Sequence, residues 1–219
     1  MQYQYDIHIH SFHSDGDFLP KEVAHQAKRA GMKGVILSDH NTIEGCEEFL
    51  SACFSLGLET FMGVEISTKY DDVEVHILGF AKKFNKKKIR TGLKQTIKEY
   101  DERMIKIINK LHQLKETEIT FKQIRRKKSK FDPVTKYDIA KEIAKEKGMP
   151  KKEQKNIEKI FDRGGPAFVP YSDKFMSPLQ ACDLIRSAGG VSVLAHPGQF
   201  VGRYRGGTEK GRNKGGKSY

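Results

Sequence analysis

Near its start the chain reads, from Asp6 to Gly16, Asp-Ile-His-Ile-His-Ser-Phe-His-Ser-Asp-Gly. Apolar and polar residues alternate over Tyr3–His10, and this period of two predicts the first strand. The alternation places His8 and His10 on one face, where two imidazoles can reach the same metal ion. The glycine after Asp15 favours a turn that brings this carboxylate back towards them. A polar edge strand with incidental histidines is the simpler interpretation, and this stretch alone does not decide between the two.

The composition favours a reduced, water-exposed compartment. The chain has 219 residues, enough for one core with an inserted subdomain. No apolar run approaches the roughly 18 to 20 residues of a membrane span, and the first residues lack the pattern of a signal peptide. Three cysteines, Cys46, Cys53 and Cys182, are odd in number and widely spaced, which favours free thiols over a disulfide framework. We therefore expect a cytoplasmic protein that does not enter a membrane.

The positive charge is concentrated in the second half of the chain. The formal net charge is +12, and residues 82–165 hold about 27 Lys and Arg against about 12 Asp and Glu. Residues 201–219 are also basic and rich in glycine, so the remainder is acidic. A basic surface beside an acidic body suits a polyanionic partner such as a nucleotide or RNA phosphate. An ordinary solvated surface is the alternative.

Strand and helix patterns alternate through the first third of the chain. They predict helices at Pro20–Ala30 and at Ile43–Leu56, the second capped by Thr42, and strands at Gly34–His40, Glu59–Ile66 and Val73–Phe80. A further helix over Ser177–Ala188 precedes a fifth, buried strand at Val191–Pro197. This order predicts an α/β fold with parallel strands.

The alternation stops at Lys82. Apolar residues at helical spacing between Ile97 and Leu114, and further patterns at Tyr137–Lys147 and Lys151–Phe161, predict three helices. Their length predicts a subdomain rather than a loop. We therefore expect a body formed by residues 1–81 and 164–200, a basic helical insert over 82–163, and a disordered tail over 201–219.

Seven side chains of the kind that bind metal ions lie near the ends of the predicted strands, in the turn after the first strand or, for His76, within a strand. One buried histidine is usually an ordinary core residue, but burying so many imidazoles and carboxylates without a metal ion is costly. Imidazole and carboxylate ligands suit Mn, Fe or Zn. His13, His25 and His112 fall outside the group and are expected to be surface residues or to form local hydrogen bonds. The predicted metal ligands are His8, His10, Asp15, His40, Glu65, His76 and His196.

At this point the sequence resembles the PHP (polymerase and histidinol phosphatase) family of metal-dependent phosphoesterases. The matching motifs run in the family's order: His8-Ile-His10 with Asp15-Gly16, Ser38-Asp39-His40-Asn41, Gly63-Val-Glu65, His76-Ile-Leu-Gly79 and Ala195-His196-Pro197. The segment Arg163-Gly-Gly-Pro-Ala-Phe-Val, with a helical insert before it, is similar to one subgroup. That subgroup comprises nucleotide 3′,5′-bisphosphate phosphatases and 5′-to-3′ exoribonucleases.

The resemblance implies a distorted (β/α)7 barrel that binds two or three divalent ions. It places His8, His10 and Glu65 on one ion, His76 and His196 with a bridging Glu65 on a second, and Asp15 and His40 on a third. It implies hydrolysis of phosphate esters of nucleotides or RNA 5′ ends by a metal-bound hydroxide. Arg163, Arg125 and Arg126 are the candidates for contacts with the substrate's phosphates.

The sequence departs from the family pattern at one place, and this departure leaves alternative interpretations of the chain and of its function. An Asp-x-His motif is expected near the family's C-terminus, and the chain has neither Asp nor His after His196. The sequence is therefore expected to form an incomplete barrel of about five strands. The explanations expected for such a chain are a truncated or frameshifted product, a fragment completed by another polypeptide, or a variant that works with fewer metals. The functional alternatives are a phosphatase like histidinol phosphatase and a catalytically impaired remnant that binds nucleic acid.

Overall fold

A computed structural model describes residues 4–71 and 73–198, so the predicted tail over 201–219 lies outside the described residues. The strands are β1 (Tyr5–Ile9), β2 (Gly34–Leu37), β3 (Met62–Tyr70), β4 (Val73–Ala81) and β5 (Val191–Leu194). The helices are α1 (Pro20–Arg29), α2 (Cys46–Leu56), α3 (Lys86–Gln113), α4 (Phe121–Arg125), α5 (Lys136–Glu146), α6 (Gln154–Phe161) and α7 (Pro178–Ser187), with a 3₁₀ turn at Lys151–Glu153.

The five strands form two small sheets. β1 and β2 pair in parallel, and β3, β4 and β5 form an antiparallel sheet in that order. Isolated parallel bridges, Gly34 to Glu59 and His40 to Glu65, join the segments around β2 and β3. The mixed α/β class and the five strands agree with the sequence. Within the described residues the sheets do not close, and the (β/α)7 barrel stays a prediction.

The prediction of uniformly parallel strands is wrong for β3, β4 and β5. Tyr70 pairs with Val73, and two residues separate them in the chain. A parallel pair needs a crossover of a dozen residues or more, so this connection permits only a hairpin. In the resulting register Ser67 lies opposite His76. Because Ser67 follows Glu65 by two residues, Glu65 and His76 share one face of the sheet.

The prediction that the fifth strand is buried is also wrong. Val191 is 66% exposed, and Val193 and Leu194 are exposed as well. Within the described residues β5 pairs with β4 alone, so its second edge is open. Its apolar sequence is therefore a poor guide to its burial here.

Two helices show how local chemistry sets their ends. α2 begins at Cys46 rather than at Ile43, because the Thr42 hydroxyl is used elsewhere: it accepts from the Glu44 N–H and donates to Asp132 Oδ1 at 2.8 Å. Gly57, with φ of 65°, ends α2 as predicted. α7 begins as predicted, with the Ser177 hydroxyl accepting from the N–H of Gln180.

The helical segment, residues 82–163, has a hydrophobic cluster that includes Met104, Ile143 and Phe161. α3 belongs to two clusters, since Ile89 and Leu93 near its start pack with β3, β4 and α7. The helices predicted in this segment are confirmed, and α4 is an addition. The division of the chain into body and insert stays a prediction, because α3 packs with both.

The described residues contain no helix that is long and apolar enough to cross a membrane. Cys46 and Cys53 are buried free thiols, and Cys182 is a free thiol that is half-buried. The prediction of free thiols is therefore confirmed.

Replacing Gly63 with Ala is expected to destabilise the protein. A Cβ atom at this position would lie 2.4 Å from the carbonyl oxygen of Leu37 and 2.6 Å from a methyl carbon of Ile36. Since backbone atoms have to move, we expect a loss of about 1 to 3 kcal/mol in the free energy of unfolding, measured by urea denaturation. Gly198→Ala is the control, because an added Cβ meets no described atom within 4 Å there. Equal effects of the two substitutions would contradict this packing.

Candidate metal centre

The side chain of Glu65, only 1% exposed, is surrounded by five histidines. Its Oε2 atom lies 2.9 Å from Nε2 of His8, 3.3 Å from Nε2 of His10 and 3.3 Å from Nδ1 of His40. This oxygen therefore faces three imidazoles, from β1, from the residue after β1 and from the segment after β2.

The second oxygen of Glu65 faces the other two histidines. Its Oε1 atom lies 3.0 Å from Nδ1 of His76 and 3.1 Å from Nε2 of His196. The two ring nitrogens are 3.2 Å apart. One carboxylate thus separates the histidines into a group of three and a group of two, with one oxygen for each group.

Asp15 lies at the side of the centre formed by His10 and His40. Its Oδ1 atom is 3.3 Å from Nδ1 of His10, and its Oδ2 atom is 3.6 Å from Nε2 of His40. The predicted turn that returns Asp15 to this position is present. It requires Gly16, because a Cβ atom there would lie 2.5 Å from the carbonyl oxygen of His10. All seven predicted side chains therefore meet at one place.

Backbone hydrogen bonds bring the elements of the centre together. The N–H of Glu65 donates to the carbonyl of Asp39 at 3.1 Å, and the N–H of Asn41 donates to the carbonyl of Glu65 at 2.8 Å. These bonds fix His40, which lies between Asp39 and Asn41, beside Glu65. The N–H of Ala195 donates to the carbonyl of His76 at 3.0 Å, which places the next residue, His196, beside His76.

The imidazoles set the electrostatics of the carboxylate. Burial raises the pKa of Glu65, but His40, His76 and His8 outweigh burial and hold this pKa well below its usual range. Burial lowers the pKa of His76, whereas hydrogen bonds with Glu65 and with Glu74 raise it to about 9. The pKa of His40 is lowered by burial, more than Glu65 and Asp15 raise it. His40 is therefore neutral at pH 7, with a lone pair on one ring nitrogen.

The donor set fits divalent cations. Nδ1 of His40 is buried and has no hydrogen-bond partner among the described residues, although it lies 3.3 Å from Glu65 Oε2. An imidazole nitrogen and a carboxylate oxygen that face each other without a hydrogen bond suit a shared cation. In three groups the possible ligand atoms all lie within 4.8 Å of one another: His8, His10 and Glu65; His10, Asp15 and His40; and His40, Glu65 and His76.

Comparison with known proteins agrees with this chemistry. A profile of the PHP domain matches residues 6–146. The chain is 31% identical to the 5′-3′ exoribonuclease of Haemophilus influenzae over 199 residues, which cover 90% of this chain and 70% of that protein. It is 27% identical to the 3′,5′-nucleoside bisphosphate phosphatase of Chromobacterium violaceum over 195 residues, which cover 89% of this chain and 67% of that protein.

A solved structure gives the same result. A Bifidobacterium adolescentis protein assigned as a metal-dependent phosphoesterase matches with a TM-score of 0.78 and 25% identity, over 90% of this chain and 68% of that one. The chain belongs to the PHP family. The resemblance seen in the sequence is thus confirmed, including its similarity to exoribonucleases and bisphosphate phosphatases. The matched region is about two thirds of the length of these relatives.

The PHP centre has supporting residues that the sequence analysis did not identify. Glu74 Oε1 accepts from Nε2 of His76 at 2.7 Å and also from the hydroxyl of Tyr171. A proton on Nε2 leaves Nδ1, which faces Glu65, free of a proton in the neutral ring. Glu74 precedes His76 by two residues on β4, so the alternation of side chains along the strand already predicts that both lie on one face. Tyr171 has no comparable signal, since it is distant in sequence.

Asp39, which the PHP motif contains, supports the turn that carries Asp15. Its Oδ1 atom accepts from the N–H of Ser11 at 2.7 Å and from the hydroxyl of Ser14 at 2.6 Å, and its Oδ2 atom accepts from the hydroxyl of Ser11 at 2.6 Å. This carboxylate is therefore used to shape the loop.

The three arginines predicted to contact substrate have different environments. Arg125 donates to the Asp101 carboxylate and to the carbonyls of Asp132 and Ser129, so its guanidinium is used within the fold and does not suit a phosphate contact. Arg126 is exposed on the surface. Arg163 lines a cavity that also contains Glu74 and therefore adjoins the PHP centre.

Of the histidines outside the centre, His112 bonds locally as predicted, since its Nε2 donates to the carbonyl of Ile119 at 2.7 Å. His13 differs, because it is half-buried and its Nδ1 donates to Oδ2 of Asp132, a residue distant in the sequence, at 2.8 Å. His25 is exposed on α1.

In a chelating buffer the stability of this PHP chain is expected to fall as the pH rises from about 7 to above 9. His76 binds a proton more tightly in the folded state, with a pKa of about 9, than in the unfolded state, where the ordinary value is 6.5. Its contribution is therefore complete below pH 6.5 and is lost as the pH rises through about 9. We expect a loss of about 2 to 3 kcal/mol by urea denaturation.

The variants His76→Gln and His25→Gln test the source of this loss. His25→Gln, on the exposed face of α1, is expected to keep the pH dependence of the wild type. His76→Gln is expected to flatten it. An equally steep fall in His76→Gln would assign the titration to another group.

Proposed function

We propose that this chain hydrolyses phosphate esters of nucleotides or of RNA 5′ ends. The observation that carries the proposal is the buried Glu65 carboxylate, which presents one oxygen to three imidazoles and the other to two. A carboxylate placed in this way suits two adjacent cations, and cations about 3.5 to 4 Å apart are the usual means of phosphoester hydrolysis at such sites.

The proposed ligands are the seven residues that the sequence identified. His8, His10 and Glu65 would hold one ion, and Glu65, His76 and His196 would hold a second. Asp15 and His40 would hold a third where three are bound. Mn, Fe and Zn all suit these imidazole and carboxylate donors. When bound, such ions supply Lewis-acid activation of a phosphate ester and of water.

The chain's own residues orient these ligands. Glu74 holds the Nε2 proton of His76 and so directs Nδ1 to the centre. Tyr171 fixes Glu74 in turn, and its hydroxyl lies 2.8 Å from that of Tyr100, which is buried in α3. Partners of this kind, one bond away from a ligand, usually change metal affinity or activity by about 10 to 100-fold when they are replaced.

A basic cavity of about 470 Å³ beside the centre suits the rest of the substrate. Volumes of about 300 to 1,000 Å³ are usual for small-molecule sites. Its lining includes four cationic side chains, two carboxylates and two rings: Lys69, Arg103, Lys136, Arg163, Glu74, Asp162, Phe168 and Tyr171. Lys69 and Lys136 are paired with Asp173 and Asp162, so we take Arg103 and Arg163 as the candidates for a phosphate contact. The guanidinium of Arg103 is fixed, since Nε donates to the Val169 carbonyl at 2.8 Å and the group lies over the Tyr171 ring.

Cations and rings together favour a nucleotide that carries a second phosphate over a small aliphatic phosphate. The printed activities of the Haemophilus influenzae and Chromobacterium violaceum relatives support this choice. A substrate like histidinol phosphate carries only one phosphate, so it offers no second phosphate to the side chains of this cavity.

The main test is phosphate release with added Mn²⁺ from adenosine 3′,5′-bisphosphate and mononucleotide release from a 5′-phosphorylated RNA oligonucleotide. The wild type is expected to bind metal and to act on at least one of these substrates. Glu65→Gln is expected to lose metal by elemental analysis, and activity by about 10³-fold or more, since the bridging charge is removed.

Glu59→Gln is the matched control, because Glu59 is exposed and outside the centre. It is expected to bind metal and to act like the wild type. A wild type that binds nucleic acid in a salt-dependent way, but neither binds metal nor turns over, would replace this proposal with that of a nucleic-acid-binding remnant.

Replacing Arg163 with Gln tests the substrate cavity. We expect KM for adenosine 3′,5′-bisphosphate to rise by about tenfold or more, the usual effect of losing one charge-assisted hydrogen bond. Activity on p-nitrophenyl phosphate, which has no second phosphate, is expected to change little. Arg29→Gln, at the exposed end of α1, is the control. An equal loss with both substrates would mean that Arg163 acts on the reacting phosphate or on the fold.

A further inference from the structure

The loop over residues 11–17 carries Asp15 without the support of a helix or strand. Within the loop, the N–H groups of Ser14 and Gly16 donate to the carbonyl of Ser11, at 3.1 and 2.9 Å. The Asp39 carboxylate, which follows β2, accepts from the N–H of Ser11 and from the hydroxyl of Ser14 and so holds one side of the loop. The position of the Asp15 carboxylate therefore depends on what holds the other side of this loop.

On that side lies Lys128, whose side chain is only 1% exposed. Its ammonium donates to the carbonyl of Ser14 at 2.7 Å and to the carbonyl of Phe12 at 3.0 Å, and it lies 3.1 Å from Asp138 Oδ2 in α5. An ammonium has three N–H donors, so these three acceptors use all of them. Asp138 is itself fixed, since the same oxygen accepts from the N–H and hydroxyl of Thr135.

The contact with Ser14 acts next to the candidate ligand. The carbonyl of Ser14 and the N–H of Asp15 belong to one planar peptide group, so fixing the carbonyl fixes the plane from which the Asp15 side chain leaves the backbone. The other polar contacts between the helical segment and this loop are made by side chains, such as His13 with Asp132 and Asp17 with Tyr137. They leave that plane unfixed.

We propose that Lys128 is a positioning residue of the centre. It ties the peptide between Ser14 and Asp15 to α5, and so keeps the Asp15 carboxylate within reach of His10 and His40. The proposal rests on the proposed function in one respect, the role of Asp15 as a metal ligand. It gives the basic stretch Arg125–Lys130 a use other than phosphate binding.

The test compares Lys128→Met with Lys127→Met. Methionine is close to lysine in length, and the ring of Phe12 lies beside the ammonium, so an apolar end group can be accommodated. Lys127 is the matched control, since it is partly exposed and pairs with Glu142 at 2.6 Å.

The first measurement is hydrogen exchange in the metal-free chain. In Lys128→Met the amides of Ser14 and Gly16 are expected to exchange about tenfold faster or more, the effect of losing a hydrogen bond to a charged group. Exchange in β3 is expected to stay as in the wild type. Lys127→Met is expected to match the wild type in both places. Unchanged loop exchange in Lys128→Met overturns the proposal.

The second measurement is metal content and affinity with Mn²⁺ in Lys128→Met, Asp15→Asn and the double variant. If Lys128 acts through Asp15, both single variants weaken the same binding step, and the double variant binds metal like Asp15→Asn. Additive losses would show that Lys128 acts elsewhere and would overturn the proposal.

The two proposals fail in different ways. A wild type without metal defeats the proposed function, and hydrogen exchange then decides the positioning role alone. Normal metal binding in both the wild type and Lys128→Met defeats only the role of Lys128. If Lys128→Met does not fold by circular dichroism, Lys128→Gln keeps amide donors. It is expected to fold and to show faster loop exchange, and exchange equal to the wild type would overturn the proposal.

Discussion

The structure depends on a buried negative charge at Glu65. A carboxylate that is 1% exposed is costly to bury unless positive or hydrogen-bonding groups surround it. Here five imidazoles do so, and they come from four places in the chain: β1 and the residue after it, the segment after β2, β4, and the segment after β5. Because no single element supplies enough of them, both sheets have to be in place before the charge is compensated. The formation of the centre and the formation of the fold therefore depend on each other.

Backbone hydrogen bonds position the histidines around Glu65. Two hydrogen bonds between Glu65 and the residues on either side of His40 join the edges of the two sheets, and they do so at the position where the carboxylate needs its neighbour. The antiparallel hairpin of β3 and β4 then brings His76 to the same face as Glu65. A parallel β4, which the sequence analysis predicted, would place its side chains after a crossover that this chain does not contain. The hairpin is thus a requirement of the centre as well as of the short connection.

The sequence predicted those parts of the centre that follow from local patterns. The seven candidate ligands were found because alternation and strand ends place side chains on known faces, and the family motifs agreed. The hairpin was also visible, since residues 67–72 between the predicted strands are too few for a crossover, although the repeated strand and helix pattern predicted parallel strands. The contacts of Lys128 and Asp132 with the loop over residues 11–17, and of Tyr171 with Glu74, were not predictable in this way. His13 and Asp132 are 119 residues apart, and no periodicity relates them. The exposure of β5 depends on which strands pair with it, which its own apolar sequence does not contain.

The positive charge of the helical segment is a weaker argument for a polyanionic partner once the contacts of its Lys and Arg residues are known. Its excess of Lys and Arg suggested a surface for a polyanion, and the basic stretch Arg125–Lys130 was its centre. In the structure many of these cations are matched within the chain: Arg125 with Asp101, Lys127 with Glu142, Lys136 with Asp162, and Lys147 with Glu116. Lys128 is buried beside the loop of Asp15. Net charge counts all of them equally, but a phosphate responds to the local field, which a nearby carboxylate reduces. The case for a nucleotide or RNA substrate therefore rests on the cavity that Arg103 and Arg163 line beside Glu74, and not on the total charge of the segment.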